Sequence, residues 1–458
     1  MTNITIIILI FVTTTLFPDE MKRFFRAFFI LAFLALAGCS RKASLPIGIF
    51  DSGTGGLTVL EKFLEMDEYA HERFVYLADQ ANMPYGNYDA VGKADFLREL
   101  VVHDAEFLAG ERYYKDAAEA GPTGRKAPCK IIVIACNTAT AYGLETLRTR
   151  FEGTGIRIIG VINAGVKATL DLLADGKEPY AIGVLATPGT ISSGAYERTI
   201  KTLAAERGIT ALAGVVNQSG YGFAEAVDSE PDFVDPRLTA PRSSYRGPRT
   251  GTGEGDIRPE LMDRYRFDTG DHALLSAPDG TDLQLNSGAN YARFNLVSLI
   301  ERHRLSGSTA PLRAIILGCT HYPFHLETLR KVVREMREYE SGGVFPYRDL
   351  LAEDLVFIDP AHYTAVECLD ALREEGLLNK HAKQSLEAYI SVPSADLPEE
   401  CLTLDGGLTY AFKYGRETGS QEVSTKAVPF SERNLDPANL ERIRNVLPRS
   451  YSLIEPGL

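Results

Sequence analysis

"AIILGCTHYPF", residues 314–324, begins as a strand and ends as chemistry. Ala314, Ile315, Ile316 and Leu317 form an unbroken apolar run, Gly318 ends it, and Cys319 follows with Thr320, His321 and Pro323. A run with no polar alternation is what a strand covered on both faces requires. "KIIVIACNTATA", residues 130–141, is built the same way: Ile131, Ile132, Val133 and Ile134, then Ala135, then Cys136 with Asn137 and Thr138 behind it.

Around these two stretches the chain alternates. Further strands are expected at "PIGIF" (46–50), "RFVYLA" (73–78), "IRIIGV" (156–161), "YAIGVLA" (180–186), "ITALAGVV" (209–216) and "DLVFID" (354–359). Amphipathic helical stretches lie between most of them, among them "LTVLEKFLEM" (57–66), "ATAYGLETLRTRF" (139–151) and "TISSGAYERTIKTLAAE" (190–206). Apolar strands alternating with helices predict an α/β fold with parallel sheets covered on both faces. Ligands in such folds bind beyond the carboxyl ends of the strands, which is where both thiols stand.

The 458 residues suit two lobes better than one. A net charge of −13 gives no support to a nucleic-acid partner. The six cysteines, Cys39, Cys129, Cys136, Cys319, Cys368 and Cys401, form no CxxC pair, which speaks against a disulfide scaffold or a structural zinc site. From Met21 the sequence "MKRFFRAFFILAFLALAGCS" has the layout of a secretory signal, and Leu36 to Cys39 resembles a bacterial lipobox with Cys39 as the lipidated residue. Asp19 and Glu20 fit neither part of a signal, so translation is expected to start at Met21. Between about Asp228 and Asp282 the chain is rich in Pro, Gly, Arg and Asp, and reads as a disordered surface insertion, with a functional lid as the alternative. The segment after about Leu377 has little pattern.

Three stretches carry chemistry. In "IGIFDSGTGGLTVL" (47–60) a strand ends at Phe50, Asp51 and Ser52 follow, and Gly53, Gly55 and Gly56 open a helix. The glycines let backbone N–H groups approach an anion, yet the spacing is neither GxGxxG nor a P-loop, so a carboxylate is a better guest than a nucleotide. Asp51 beside such a guest makes sense next to an amine or a base whose pKa must be raised; otherwise it is a helix cap. A single Cys at a strand end is ordinarily core. Here two stand 183 residues apart on strands of one type, each followed by polar groups suited to a ligand. As metal ligands, Cys136, Cys319 and His321 make an incomplete set. As a redox pair they lack the usual spacing. Facing each other across a cleft, two thiols can take a proton from one face of a carbon and return one to the other, which inverts a stereocentre. Oriented N–H and hydroxyl donors would stabilise the charge developing on the α-carboxylate.

"IGIFDSGTGGLTVL", "MPYG" (83–86), "IACNTATA", "IGVLATPGTISSGAY" and "LGCTHYPF" together resemble the glutamate racemases of bacterial cell-wall synthesis, from about Pro46 to about Leu372. The resemblance implies two doubly wound parallel-sheet lobes with the active site at their interface, no cofactor and no metal. It implies Cys136 and Cys319 as the two acid/bases, Asp51 serving the Cys136 side and His321 the Cys319 side, and a catalytic Glu near Glu225. Asp51, Ser52, Tyr85, Gly86, Asn137, Thr138, Thr320 and His321 would bind the substrate, glutamate. The expected organisation is a signal segment at 1–38, a first lobe at 46–160 plus about 356–400, a second lobe at 161–355 with the 228–282 insertion, and a C-terminal tail at 401–458. A tether to the outside of a bacterial membrane through Cys39 and a homodimer complete the expectations, with a cytoplasmic protein as the alternative, since cell-wall precursors are assembled there. The competing functions are racemisation of aspartate or another amino acid, and a lipid-anchored protein that binds acidic amino acids or muropeptides without turnover.

Overall fold

The computed structural model describes residues 42–458 apart from 278, 279, 281 and 420–422; the signal segment and Cys39 lie outside the described residues. Ten strands build two sheets. In chain order they are β1 (Ile47–Asp51), β2 (Arg73–Ala78), β3 (Ile131–Ile134), β4 (Arg157–Gly160), β5 (Tyr180–Ala186), β6 (Leu212–Ser219), β7 (Leu312–Gly318), β8 (Leu351–Ile358), β9 (Ser385–Pro393) and β10 (Thr425–Pro429). The first sheet runs β10-β9-β2-β1-β3-β4 and the second β8-β7-β5-β6. Every pairing is parallel except that of β9 with β10.

The unbroken apolar runs are the cause of this arrangement. All of β1 and all of β5 are buried, so neither can face water on either side. Helices Leu57–Leu64 and Pro360–Glu374 cover one face of the first sheet with Leu60, Phe63, Ala365 and Leu369. Helices Ala94–Ala109 and Asn137–Arg150 cover the other with Leu97, Val101, Leu144 and Leu147. In the second lobe, Gly288–Leu305 and Leu326–Glu338 lie on one face, Val161–Leu173 and Ala195–Glu206 on the opposite one. Each large aliphatic side chain removed from water contributes about 1.5–3 kcal/mol.

Strand order positions the site. In the first sheet the chain reverses direction at β1, between β2 and β3, and in the second at β5, between β7 and β6. Such switch points leave a crevice beyond the carboxyl ends of the strands. Asp51 ends β1, Cys136 stands just after β3, Thr187 follows β5, and Cys319 follows β7.

Several expectations are corrected. "DLVFID" belongs to the second sheet, because Val356, Phe357 and Ile358 pair with Ala314, Ile315 and Ile316, so this lobe extends past residue 355. The segment 401–458 is no separate tail. β10 pairs with β9, and Val428, Phe430, Leu435, Ile443, Leu447 and Ile454 join the first lobe's core. The Pro448–Ile454 helix is docked by Glu61, whose buried carboxylate accepts from the backbone N–H of Arg449 at 3.1 Å and of Ser450 at 2.8 Å. The described residues of segment 228–282 are packed rather than disordered: Phe233, Ile257, Leu261 and Tyr265 are buried in the second lobe's core, Tyr245 is buried with its hydroxyl 3.2 Å from that of Tyr291, and Leu274–Ser276 pairs with Leu283–Leu285. Phe233, Tyr245 and Ile257 stand far apart with no helical or strand period, and only Ile257, Leu261 and Tyr265 keep a four-residue spacing, over the short turns Pro259–Leu261 and Met262–Tyr265, so composition masked them. The helix expected over 190–206 is two, Pro188–Ser192 and Ala195–Glu206, separated at Gly194 with φ +64.

Candidate active site

Cys136 and Cys319 line one cavity at the seam between the lobes. Asp51, Ser52, Tyr85, Gly86, Asn137, Thr138, Glu225, Thr320 and His321 line it too, so every expected site residue among the described ones reaches this cavity. The lobes meet closely here. A Cβ placed on Gly55 would stand 2.5 Å from His321 Cε1 and 2.8 Å from Thr320 Oγ1, so only glycine fits between the first lobe's loop and the second lobe's histidine.

On the first-lobe side, Cys136 caps the helix Asn137–Arg150. Its Sγ accepts from the Ala139 N–H at 3.4 Å and lies 3.7 Å from Ser52 Oγ. Burial, and then the charge of Asp51, push the thiol pKa well up; the Ala139 N–H and Ser52 oppose this with less effect. Cys136 is therefore held as the neutral thiol, the form that donates a proton.

Asp51 Oδ2 accepts from the backbone N–H of Gly56 at 2.9 Å and of Gly53 at 3.2 Å. Its Oδ1 is buried and has no hydrogen-bond partner among the described residues. An unpaired buried acceptor is costly until a donor such as a ligand's ammonium group arrives. Burial raises the Asp51 pKa to about 6, against the opposing pull of His321 and the glycine N–H groups. A carboxyl whose folded pKa is raised favours folding at acid pH, and that advantage is lost as the pH rises through about 6. Asp51→Asn is thus expected to stabilise the unliganded protein at about pH 8 by up to about 3 kcal/mol, with no gain below about pH 4, while lowering kcat/KM. Urea unfolding at both pH values, beside initial rates, checks this; equal stability of variant and parent at the higher pH contradicts it.

On the second-lobe side, Cys319 Sγ lies 3.4 Å from His321 Nδ1. The other ring nitrogen, Nε2, is 2.9 Å from Asp228 Oδ2. The N–H does not aim cleanly at that oxygen, so the attraction is chiefly between charges. Burial works against the imidazolium, but Asp228 and then Cys319 overcome it and raise the His321 pKa well above its ordinary value. Burial likewise works against the Asp228 carboxylate, and His321 with Arg442 overcomes it, holding the pKa at about 2. An imidazolium beside Cys319 can exchange its Nδ1 proton with the sulfur.

The acid that pairs with His321 is Asp228, which the sequence did not single out. Asp228 and Glu225 both line the cavity, but Asp228 follows the one-turn helix Phe223–Val227 and reaches the ring, whereas burial merely raises the Glu225 pKa. The Tyr85 hydroxyl is engaged within the first lobe, by Asp79 at 2.5 Å and Asp104 at 2.8 Å. Burial and the nearby Asp79 raise the Asp104 pKa, and the Tyr85 hydroxyl is the donor to this carboxyl pair.

The other polar residues hold one another in place. Asn137 Oδ1 accepts from Tyr196 at 2.5 Å, and Thr138 Oγ1 is 3.0 Å from both Thr187 Oγ1 and Thr190 Oγ1. Thr187 and Glu230 also line the cavity and were not singled out in the sequence. Burial, with Glu225 and Asp228 nearby, raises the Glu230 pKa to about 8. Among the described residues no three His, Cys, Asp or Glu side chains converge as a metal-ligand set.

Residues 93–230 match the family model described as Asp/Glu/Hydantoin racemase. A glutamate racemase from Lactobacillus helveticus is 36% identical over 356 residues, 77% of this chain and 89% of that protein. Those from Corynebacterium diphtheriae and Enterococcus faecalis are 40% identical over 152 residues and 37% over 166, covering 33% and 36% of this chain. In these two alignments the chain spans only about half of the relative, 46% and 50%.

Proposed function

This chain belongs to the Asp/Glu racemase family, and on that premise we propose that it interconverts L- and D-glutamate with Cys136 and Cys319 as opposed acid/bases. The observation that carries this reading is the shared cavity: two thiols from different lobes line it, each with its own partners. Cys319, beside His321, takes the α-proton from the enantiomer that presents it. The electron pair moves into the α-carboxylate, and Cys136 delivers its proton to the opposite face. The thiols then have exchanged protonation states, which readies the site for the reverse reaction. The unpaired Asp51 Oδ1 receives the substrate ammonium group, and Ser52, Asn137, Thr138 and Thr320 supply donors for the carboxylates. Glu230, with its pKa near 8, adds no full charge at neutral pH, so the acidic lining tolerates an anionic guest. Both proton positions are supplied by the chain, and the reaction as proposed uses no cofactor. Acting in the cytoplasm, where cell-wall precursors are assembled, the protein would supply peptidoglycan synthesis; acting outside, it would serve another use of D-glutamate. Circular dichroism of purified glutamate and aspartate enantiomers, under reducing conditions, tests the reading. Loss of optical activity with glutamate supports it, loss with aspartate alone moves the substrate, and no loss with either refutes it.

The lipobox resemblance at Leu36–Cys39 supports a second part of the proposal, export and a lipid anchor on Cys39. Among the described residues no helix is long and apolar enough to cross a membrane. The protein is expected in the membrane fraction, and Cys39→Ala in the supernatant. Equal partition of the two would contradict lipidation.

A further inference from the structure

We propose that Arg442, from the C-terminal segment of the chain, is a positioning residue for the Cys319 side of the site and ties that side to the opposite lobe. The inference rests on the racemase reading, because it assigns Arg442 a part in that turnover.

Arg442 lies in the helix Pro437–Val446, whose Ile443, like Leu447 just beyond, is buried in the first lobe's core. The next helix is fixed to that lobe by Glu61. Arg442 points the other way. One terminal nitrogen, Nη2, is 2.7 Å from Asp228 Oδ1, and the other, Nη1, donates to the Val227 carbonyl at 2.7 Å. The guanidinium also sits 5.1 Å from the centre of the Phe324 ring. The two polar contacts are with the second lobe, at adjacent residues at the end of the helix Phe223–Val227, and Phe324 follows Cys319 in the chain while its ring packs against the first lobe's core.

The carboxylate of Asp228 is thereby shared. Oδ1 faces Arg442 and Oδ2 faces His321 Nε2, whose other nitrogen faces Cys319. A carboxylate with one cationic neighbour can turn about its last bond; one held from both sides has a fixed plane. Asp228 Oδ1, like His321 Nε2, makes no aligned hydrogen bond among the described residues, so charge attraction from both sides keeps the carboxylate, and with it the His321 ring, in place beside Cys319. The Asp228 and His321 side chains are 3% and 5% exposed and that of Arg442 16%, so water screens these charges little. An arginine suits the place because its rigid fork meets a carboxylate and a carbonyl at once, which the point charge of a lysine cannot do as well.

The test compares the full chain with Arg442→Ala, Arg442→Gln and Arg442→Lys in kcat, KM, melting temperature and the imidazole nitrogen resonances of His321. Loss of a charge-assisted contact at the acid predicts that the Ala and Gln variants lose roughly 10- to 100-fold in kcat, with a smaller change in KM. The Lys variant should fall in between. Millimolar guanidinium chloride should restore Arg442→Ala saturably, while the same concentration of sodium chloride does not. The His321 resonances should shift in Arg442→Ala and return with guanidinium. If Arg442→Ala does not fold, Arg442→Gln decides. Parental kcat in the variant that folds overturns the proposal. So does a lower melting temperature with unaltered His321 resonances, which is the mark of a merely structural residue. If the parent itself fails to racemise glutamate, the racemase reading falls, and the His321 resonances alone decide whether Arg442 positions the ring.

Discussion

Cys136→Ala and Cys319→Ala are each expected to lose roughly 10³-fold or more in glutamate racemisation, because each removes one of the two positions a proton must occupy. Neither loss should come from unfolding. Cys136 lies at the end of a strand and at a helix cap, and Ala replaces a thiol whose contact from the Ala139 N–H is long at 3.4 Å. The two variants should differ in what they retain. Cys136→Ala keeps Cys319 and His321, so it can remove the α-proton of one enantiomer and return one to the same face. Cys319→Ala keeps Cys136 beside Asp51 and Ser52, and should do the same to the other enantiomer, less well, because burial and Asp51 hold that thiol neutral. In deuterated water each variant therefore exchanges one enantiomer without inverting it, and the preferred enantiomers are opposite. Both variants exchanging the same enantiomer would place the sulfurs on one side of the substrate.

The second large effect belongs to Asp228. Asp228→Asn keeps the shape of the side chain and removes its charge, leaving Arg442 and His321 without their anion. A loss of roughly 10²-fold in kcat is expected, since the His321 ring then loses both its proton and its orientation toward Cys319. Stability near neutral pH should fall by about 3 kcal/mol, the cost of breaking a buried charge pair, moderated because His321 can shed its proton. The pH dependence has a definite sign. The folded pKa of Asp228 is lowered to about 2, so its stabilisation is present above the ordinary carboxylate range and is lost as the pH falls from about 4 toward 2. The raised pKa of His321 describes the same attraction from the other partner, and it is lost as the pH rises through that value, far above the ordinary 6.5. Acid and alkaline unfolding of parent and variant measure both edges; the variant should lack them, and parental kcat in Asp228→Asn would remove His321 from the account.

How far the sequence revealed this site depends on the kind of signal. The two strand-and-thiol stretches were readable because a buried parallel strand demands an unbroken apolar run, and the residues just past its end have one place to go. Asp51, Ser52, Asn137, Thr138, Thr320 and His321 came with them for that reason. The acid on His321 was not readable. Glu225 and Asp228 stand three residues apart on a single helical turn, and side-chain reach rather than spacing decides between them. Tyr85 lines the cavity, and the direction of its hydroxyl depends on Asp104, a partner on a later helix. Arg442 lies more than two hundred residues from Asp228 in a segment with little periodicity, and its position follows from the docking of Ile443, Leu447 and Ile454 in the first lobe. The insertion was misread because its anchors, Phe233, Tyr245 and Tyr265, are single aromatic residues in a Pro- and Gly-rich background.

The most direct test of two sulfurs acting from opposite faces is the isotope content of both enantiomers at the start of turnover. Protiated L-glutamate is incubated in deuterated water with the parent protein and sampled before appreciable conversion. The account predicts D-glutamate that carries deuterium at the α-carbon, delivered by a solvent-exchanged thiol, while the remaining L-glutamate keeps its protium. D-glutamate that retains the original protium would mean one group carrying the proton across, and would contradict it.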